Sequence, residues 1–437
     1  MSTVTTTGPL IDARRLLAAW DGSDGPIGLD AHLDCYGPLP RRAFAGLPGQ
    51  DRLRAVAAAA GLRGRGGAGF PTGTKLAAVA EQAGRPIVVV NACEGDPTSA
   101  KDQTLLEIVP HLVLDGIELA AHEVNANEAV ICLHRGHPAG SWLAAALRER
   151  GEGWPCDIRV AEVPPRFVAS QESALVNFLT TGDARPTVTP PRPAQRGVDG
   201  RPTLVDNVET LAHLALIARY GADWFREFGT DASPGSTLVT LRGAVRRPGV
   251  YEVAFGRSIG ELWNRAGGPT EPVGAVLVGG LGGSWLRARE AARLRLTHED
   301  LRSAGAALGV AALVMLPERA CGLTETARVL RYLAAESAGQ CGPCMFGLPA
   351  VAADLTALAA GTAEAPEALR RLRRRLGVIP GRGACAHPDG AVRLAASALQ
   401  VFGPDVAGHA RRGRCAAAGQ PALLPVPEVG RSAGGVR

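Results

Sequence analysis

Between about residues 40 and 230, short β-branched apolar runs alternate with segments whose apolar residues recur at helical spacing. The run PIVVVN at 86–91 is continuous and β-branched, as a strand buried on both faces should be. The pattern predicts helices over 105–123 and 141–150, strands over 129–133 and 158–163, and a further helix over 171–179. Such alternation predicts a doubly wound α/β region. The Pro- and Gly-rich stretch 180–201 predicts a long functional or disordered loop. The pattern changes after 236. Residues 238–243 alternate like a strand, RRPG at 246–249 signals a turn, and 250–253 returns as a strand. A helix over 258–265 ends at Gly267 and Gly268, and 275–278 predicts a third strand, which together suggest a small β-grasp module. Residues 325–402 predict helices. The first 30 residues read as a poorly ordered leader with one helix at 11–20, and the Gly/Pro/Ala-rich tail from 416 reads as disordered. The expected organisation is a flexible leader (1–35), an α/β domain (36–232), a β-grasp domain (233–318), a helical bundle (319–415) and a tail (416–437).

Composition narrows the function. A chain of 437 residues is too long for one compact core, and 46% hydrophobic with 20% charged residues excludes disorder as the main state. A dispersed net charge of +5 gives no footprint for nucleic acid, and the basic stretch 370–375 reads as a solvated helix face. The longest apolar run, 304–316, falls short of the roughly 20 residues a membrane span needs. The N-terminus lacks the basic and apolar regions of a secretory signal. A cytoplasmic setting is therefore expected, and the nine cysteines read as metal ligands or core residues rather than disulfides. Lysine occurs only at Lys75 and Lys101, against 45 arginines, so both lysines merit inspection.

The densest signal is GLRGRGGAGFPTGTK at 61–75. Gly64, Gly66, Gly67 and Gly69 allow backbone to approach a ligand closely and allow consecutive N–H groups to converge on an anion. Lys75 could add a positive charge. No strand is predicted before Gly61, so this is not the usual dinucleotide fingerprint.

Together with NACEGDP at 91–97 and PTLVDNVET at 202–210, this loop resembles the flavin-carrying subunit of respiratory complex I and of NAD-reducing hydrogenases and formate dehydrogenases. The resemblance runs from about 40 to 402. It implies an α/β FMN-binding domain, a small β-grasp (SLBB-type) domain and a C-terminal helical bundle holding a [4Fe–4S] cluster. It also implies an NADH:acceptor reaction in which FMN takes a hydride and releases single electrons. Carried over residue by residue, the resemblance places Gly64, Arg65, Gly66, Gly67, Ala68, Phe70, Lys75, Asn91, Asp206 and Asn207 at the cofactors. It gives Glu94, Asp96 and Glu172 the catalytic carboxylates. The chain departs from the family at Cys93, Ser170 and Gln171, where the family has Asp, Gly and Glu. At the nicotinamide site Phe70 is kept, but Ala78 and Arg192 replace two stacking Phe residues and Thr189 replaces a Lys.

The resemblance also aligns Cys341, Cys344 and Cys385 with three cluster ligands, while Ala338 stands at the fourth. A cubane usually takes four thiolates. Four outcomes are open: a water or partner ligand, a [3Fe–4S] cluster, a substitute from Cys321, Cys415 or His409, or loss of the cluster. Cys35, Cys132 and Cys156 read as core or loop residues. The function that follows is a flavin-dependent electron-transfer subunit with a redox partner protein, either ferredoxin-like or a membrane redox protein. The location is cytoplasmic or peripheral to a membrane complex, with no transmembrane segment and no nucleic acid. Two rivals stand beside it: a same-fold flavoprotein that no longer uses NADH, and a redox-inactive scaffold.

Overall fold

The computed structural model describes residues 14–20, 22–44, 52–151, 156–413 and 415–427. Its first sheet is wholly parallel: β1 (Ile87–Asn91), β2 (Glu128–His134), β3 (Asp157–Val163) and β4 (Thr203–Asn207) run in the order β3-β2-β1-β4. The chain steps outward from β1 to β3 and then returns to the other side of β1. The strand order therefore reverses between β1 and β4. In open α/β sheets a ligand crevice forms outside the carboxyl ends of the strands at such a point. The two strands end there on Asn91 and Asn207, which sit in register.

The second sheet is mixed. It contains β5 (Ser236–Gly243), β6 (Gly249–Ala254), β7 (Val273–Val278), β8 (Ser284–Arg287) and β9 (Ala312–Pro317), in the order β6-β5-β9-β7-β8. Only β5 and β9 pair in parallel. Helices Gly322–Ala335, Leu348–Ala360, Ala365–Val378, His387–Val401 and Gly403–Arg412 follow. The segment Pro343–Ala360 is long and apolar enough to cross a membrane by composition. Its Leu348, Val351, Leu355 and Leu358 are buried in the core shared with the neighbouring helices, which accounts for that apolarity.

Several expectations are corrected. The helix over 105–123 is two helices, Lys101–Ile108 and Pro110–Val124. Pro110 disfavours helical geometry at the residue before it, and Val109 sits at φ −127°, ψ 54°. Strand β4 falls inside a motif read only for its chemistry. The apolar run 304–316 divides between a loop and β9. The leader is not a loose arm where it is described: Leu16, Leu17 and Trp20 are buried, and the Arg15, Leu16 and Leu17 amides donate to Glu252 at 3.0–3.2 Å. The expected helix at 11–20 is a turn over its described part, and residues 11–13 lie outside the described residues. The tail also docks. Leu424 is buried, and the Leu423 and Leu424 amides donate to Glu325; residues 428–437 lie outside the described residues.

Candidate functional site

A cavity of about 310 Å³ opens at the carboxyl ends of β1 and β4. Its size suits a cofactor. The wall is unusually bare: Gly66, Gly67 and Gly95 come from the α/β region, Gly279, Gly282, Gly283 and Gly309 from the loops of the mixed sheet, and Gly390 from the helices. Gly67 holds φ +114°, a backbone conformation that a residue with a Cβ rarely adopts. Polar groups on the wall include Asn91, Ser99, Lys101, Asp102 and Asn207. A flat ring system with a polar chain fits this mixture of bare backbone and a few directed polar groups. At the far side the same cavity reaches Cys385 and His387.

The predicted residues divide into those that meet the cavity and those that build it. Asn91, on the wall, donates from Nδ2 to the Ser170 carbonyl at 2.7 Å. Asn207 donates to Asp102 Oδ2 at 2.6 Å, while its Oδ1 accepts from the Lys101 ammonium at 3.0 Å. Glu94 is held at φ +44°, and its carboxylate accepts from the Ser99 hydroxyl and the Asp102 and Gln103 amides at 2.6–3.1 Å. It thereby caps the helix Lys101–Ile108. Asp96 is buried and accepts from the Thr98 amide, the Thr98 hydroxyl and the Leu281 amide at 2.6–2.9 Å. Burial pushes its carboxyl up, and those donors oppose the shift. Both carboxylates are engaged by the fold, and Asp96 stitches the α/β region to the mixed sheet.

Lys75, Gly64, Ala68, Phe70, Glu172 and Asp206 are not cavity-wall residues. The Lys75 ammonium contacts the Val205 carbonyl, Glu172 at 3.3 Å and Asp206 at 3.6 Å. Burial opposes its charge, but these two carboxylates outweigh burial and hold its pKa above the ordinary lysine value. Gly64 donates its N–H to the Phe70 carbonyl, closing the loop on itself. Arg65 is on the wall, and its guanidinium donates to the Arg63 and Ser236 carbonyls. Gln171 meets the wall and caps the helix Glu172–Thr181, its Oε1 accepting from the Ser173 and Ala174 amides. Phe70 is 43% exposed, and Arg192 is exposed.

The lysine on the wall is instead Lys101, which is 2% exposed and lines the cavity together with Arg65 and Arg393. It contacts Asp102 at 2.5 Å and Glu209 at 3.1 Å. Burial opposes its charge, yet Asp102, Glu209 and Glu94 raise its pKa above the usual value. No motif marked it; the only signal was the scarcity of lysine.

Cys385 lies at the cavity's other end, and the Cys341 and Cys344 thiols lie near enough for the three to influence one another electrostatically. Burial raises the Cys341 thiol, but N–H groups of Ala384 and Cys344 aimed at its sulfur overcome that and hold its pKa below the usual thiol value. Burial pushes the Cys344 thiol up to about 12. The His387 amide points at the Cys385 sulfur. Convergent thiols with N–H donors suit a cluster bound through three cysteines. The possible substitutes do not reach it. His409 lies against the Ala359 carbonyl. Ala359 and Cys344 stand at opposite ends of one continuous helical segment, about 22 Å apart at roughly 1.5 Å per residue. Cys321, His409 and Cys415 therefore form a group of their own.

Comparison with known proteins agrees with this layout. Residues 57–216 match the Nuo51 FMN-binding domain, and residues 324–409 match the NADH-ubiquinone oxidoreductase-F iron-sulfur binding region. Fold and site thus define a flavin- and iron–sulfur-type electron-transfer subunit. The chain is 32% identical over 386 residues to the F 2 subunit of the NADH-quinone oxidoreductase of Rhizobium meliloti (strain 1021), covering 84% of this chain and 90% of that protein. The NAD+-reducing [NiFe]-hydrogenase in its air-oxidized state superposes with a TM-score of 0.81 and 29% identity, over 97% of this chain and 70% of the hydrogenase chain. In the H2-reduced state the TM-score is 0.76 and the identity 32%, over 82% of this chain and 63% of the hydrogenase chain. The chain belongs to the family of NADH-quinone oxidoreductase F subunits, as an NADH dehydrogenase-like oxidoreductase.

Proposed function

We propose that this chain takes a hydride from NADH at the β1/β4 crevice and passes electrons through the cysteine cluster to a partner subunit of a larger complex. The observation that carries this reading is the continuity of one cavity from Gly66 and Gly67 to Cys385. FMN, when bound, accepts two electrons as hydride and returns them singly. The bare backbone at Gly66 and Gly67 would admit its polar chain. Asn91 and Asn207 would orient it, and Lys101, paired with Asp102 and Glu209, would stand on the wall beside it. Glu94 and Asp96 act as positioning residues, the first through the helix it caps and the second through the seam to Leu281. Cys341, Cys344 and Cys385 would hold the iron–sulfur cluster, with the Ala338 position left to a ligand other than a thiolate.

The finer architecture follows the same reading. The mixed sheet with helix Ile259–Arg265 is a β-grasp, SLBB-type domain within 233–318, and the helices of 319–415 form the bundle that carries the cluster. The chain works on the cytoplasmic side, peripheral to its complex, and its acceptor is a redox protein. A visible spectrum of anaerobically purified protein before and after NADH tests the proposal. Flavin bands that bleach with NADH support it. Bands that bleach with dithionite but not with NADH would instead favour a same-fold flavoprotein without nicotinamide chemistry, in line with Ala78, Thr189 and Arg192.

A further inference from the structure

We infer that Cys321, His409 and Cys415 bind a zinc ion that clasps the C-terminal segment onto the helical region, apart from the iron–sulfur cysteines. The three ligand atoms lie within 4.8 Å of one another. Cys321 Sγ and His409 Nε2 are 3.7 Å apart. A tetrahedral zinc with ordinary Zn–S and Zn–N bonds places such a pair about 3.6 Å apart. The imidazole is already set for the task. Nδ1 of His409 lies 2.9 Å from the Ala359 carbonyl, so it carries the proton and leaves the Nε2 lone pair facing the sulfurs. The Cys415 amide, 3.3 Å from Nε2, and the Cys321 thiol proton are the donors that the ion would displace. Cys321 stands at the N-cap position of the helix Gly322–Ala335, so the helix fixes where its sulfur sits.

Cys321 and His409 are buried and Cys415 is half-buried, so water can complete the tetrahedron from the Cys415 side. Two thiolates and an imidazole, with closed d-shell bonding and no redox demand, select zinc. The role follows from the chain path. Described residues 415–427 contain no strand or α-helix and are held at one end by Glu325 through the Leu423 and Leu424 amides. A zinc at Cys415 anchors the other end.

The test uses the full chain, grown with zinc and purified anaerobically without chelator. Elemental analysis should find one zinc per chain. Cys321→Ser and Cys415→Ala should each lower zinc occupancy at least about tenfold, with iron and flavin per chain unchanged. Because either variant could misfold, wild-type protein with Co²⁺ exchanged for zinc provides the independent measurement. Tetrahedral visible bands with a sulfur-to-cobalt charge-transfer band are expected. Zinc-free protein lacking those bands overturns the inference. So does a Cys321–Cys415 disulfide trapped by anaerobic alkylation, or iron rather than zinc lost on Cys321→Ser.

Discussion

Replacing Lys101 by Met should destabilise the α/β region strongly and in a pH-dependent way. The ammonium is buried and touches Asp102 and Glu209. Met matches its length but removes the charge, so two buried carboxylates lose their cation. Breaking a buried pair from one side costs about 3–5 kcal/mol. With a urea slope near 3 kcal/mol per M, the midpoint should fall by about 1–1.7 M. Part of the loss is offset by protonation. Burial pushes the Asp102 carboxyl up to about 7 even with Lys101 beside it, and removing the cation moves it higher. A carboxyl whose folded pKa exceeds its unfolded value holds a proton that the unfolded chain has released, so stability falls as pH rises between the two values. In wild type that window closes near pH 7. In Lys101→Met it extends upward, so the stability gap should widen between about pH 6 and pH 8.5. Urea titration followed by far-ultraviolet circular dichroism at both pH values measures this. A midpoint shift below about 0.3 M, or a gap that does not change with pH, would refute the claim that Lys101 neutralises this cluster.

Other perturbations separate the parts of the site. Gly67→Val forces a side chain onto φ +114°; a strain of about 1–3 kcal/mol should weaken FMN binding by roughly 5- to 150-fold, read by flavin fluorescence titration. Lys75→Ala should retain more flavin than Gly67→Val, because its ammonium is held by Asp206 and Glu172 rather than facing the cavity. Ala338→Cys should raise iron per chain and change the low-temperature electron paramagnetic resonance signal; an unchanged iron ratio would count against a three-cysteine cluster. Ala78→Phe should lower the KM for NADH by roughly 2- to 12-fold, the effect of one stacked ring; no change would place the nicotinamide away from residue 78.

The parts of the molecule that were legible in sequence are those where local chemistry and global fold agree. β1 reads as a buried parallel strand from five residues, the glycine loop stands out by its density of glycine, and the three cysteines stand out through the resemblance to the family's cluster motif. Illegible features depend on partners far away in the chain. Lys101 becomes a cavity cation only because β4 brings Asn207, and the helix after it Glu209, from more than 100 residues further on. The leader and tail have compositions that suggest disorder, yet Glu252 and Glu325 satisfy their amides. No local pattern encodes such acceptors.

The carboxylates show where motif reading passes from chemistry to architecture. Glu94 and Asp96 sit in the acidic motif beside the crevice, and their type and spacing alone suit proton or hydride chemistry. In the fold each accepts at least three hydrogen bonds from neighbouring amides and hydroxyls. A carboxylate so committed has little freedom to exchange protons with a substrate, because protonation would break bonds that hold a helix cap or a domain seam. Gly280 sharpens the point. A Cβ there would lie 2.4 Å from Asp96 Oδ2, and the residue sits at φ +90°, so the mixed sheet is shaped to receive that carboxylate. On the proposed reading, the acidic motif would act on the flavin site from the cavity wall by holding the α/β region against the mixed sheet. Substitutions at Asp96 should then alter flavin retention and stability together, whereas a residue acting only on hydride transfer would lower turnover with both unchanged.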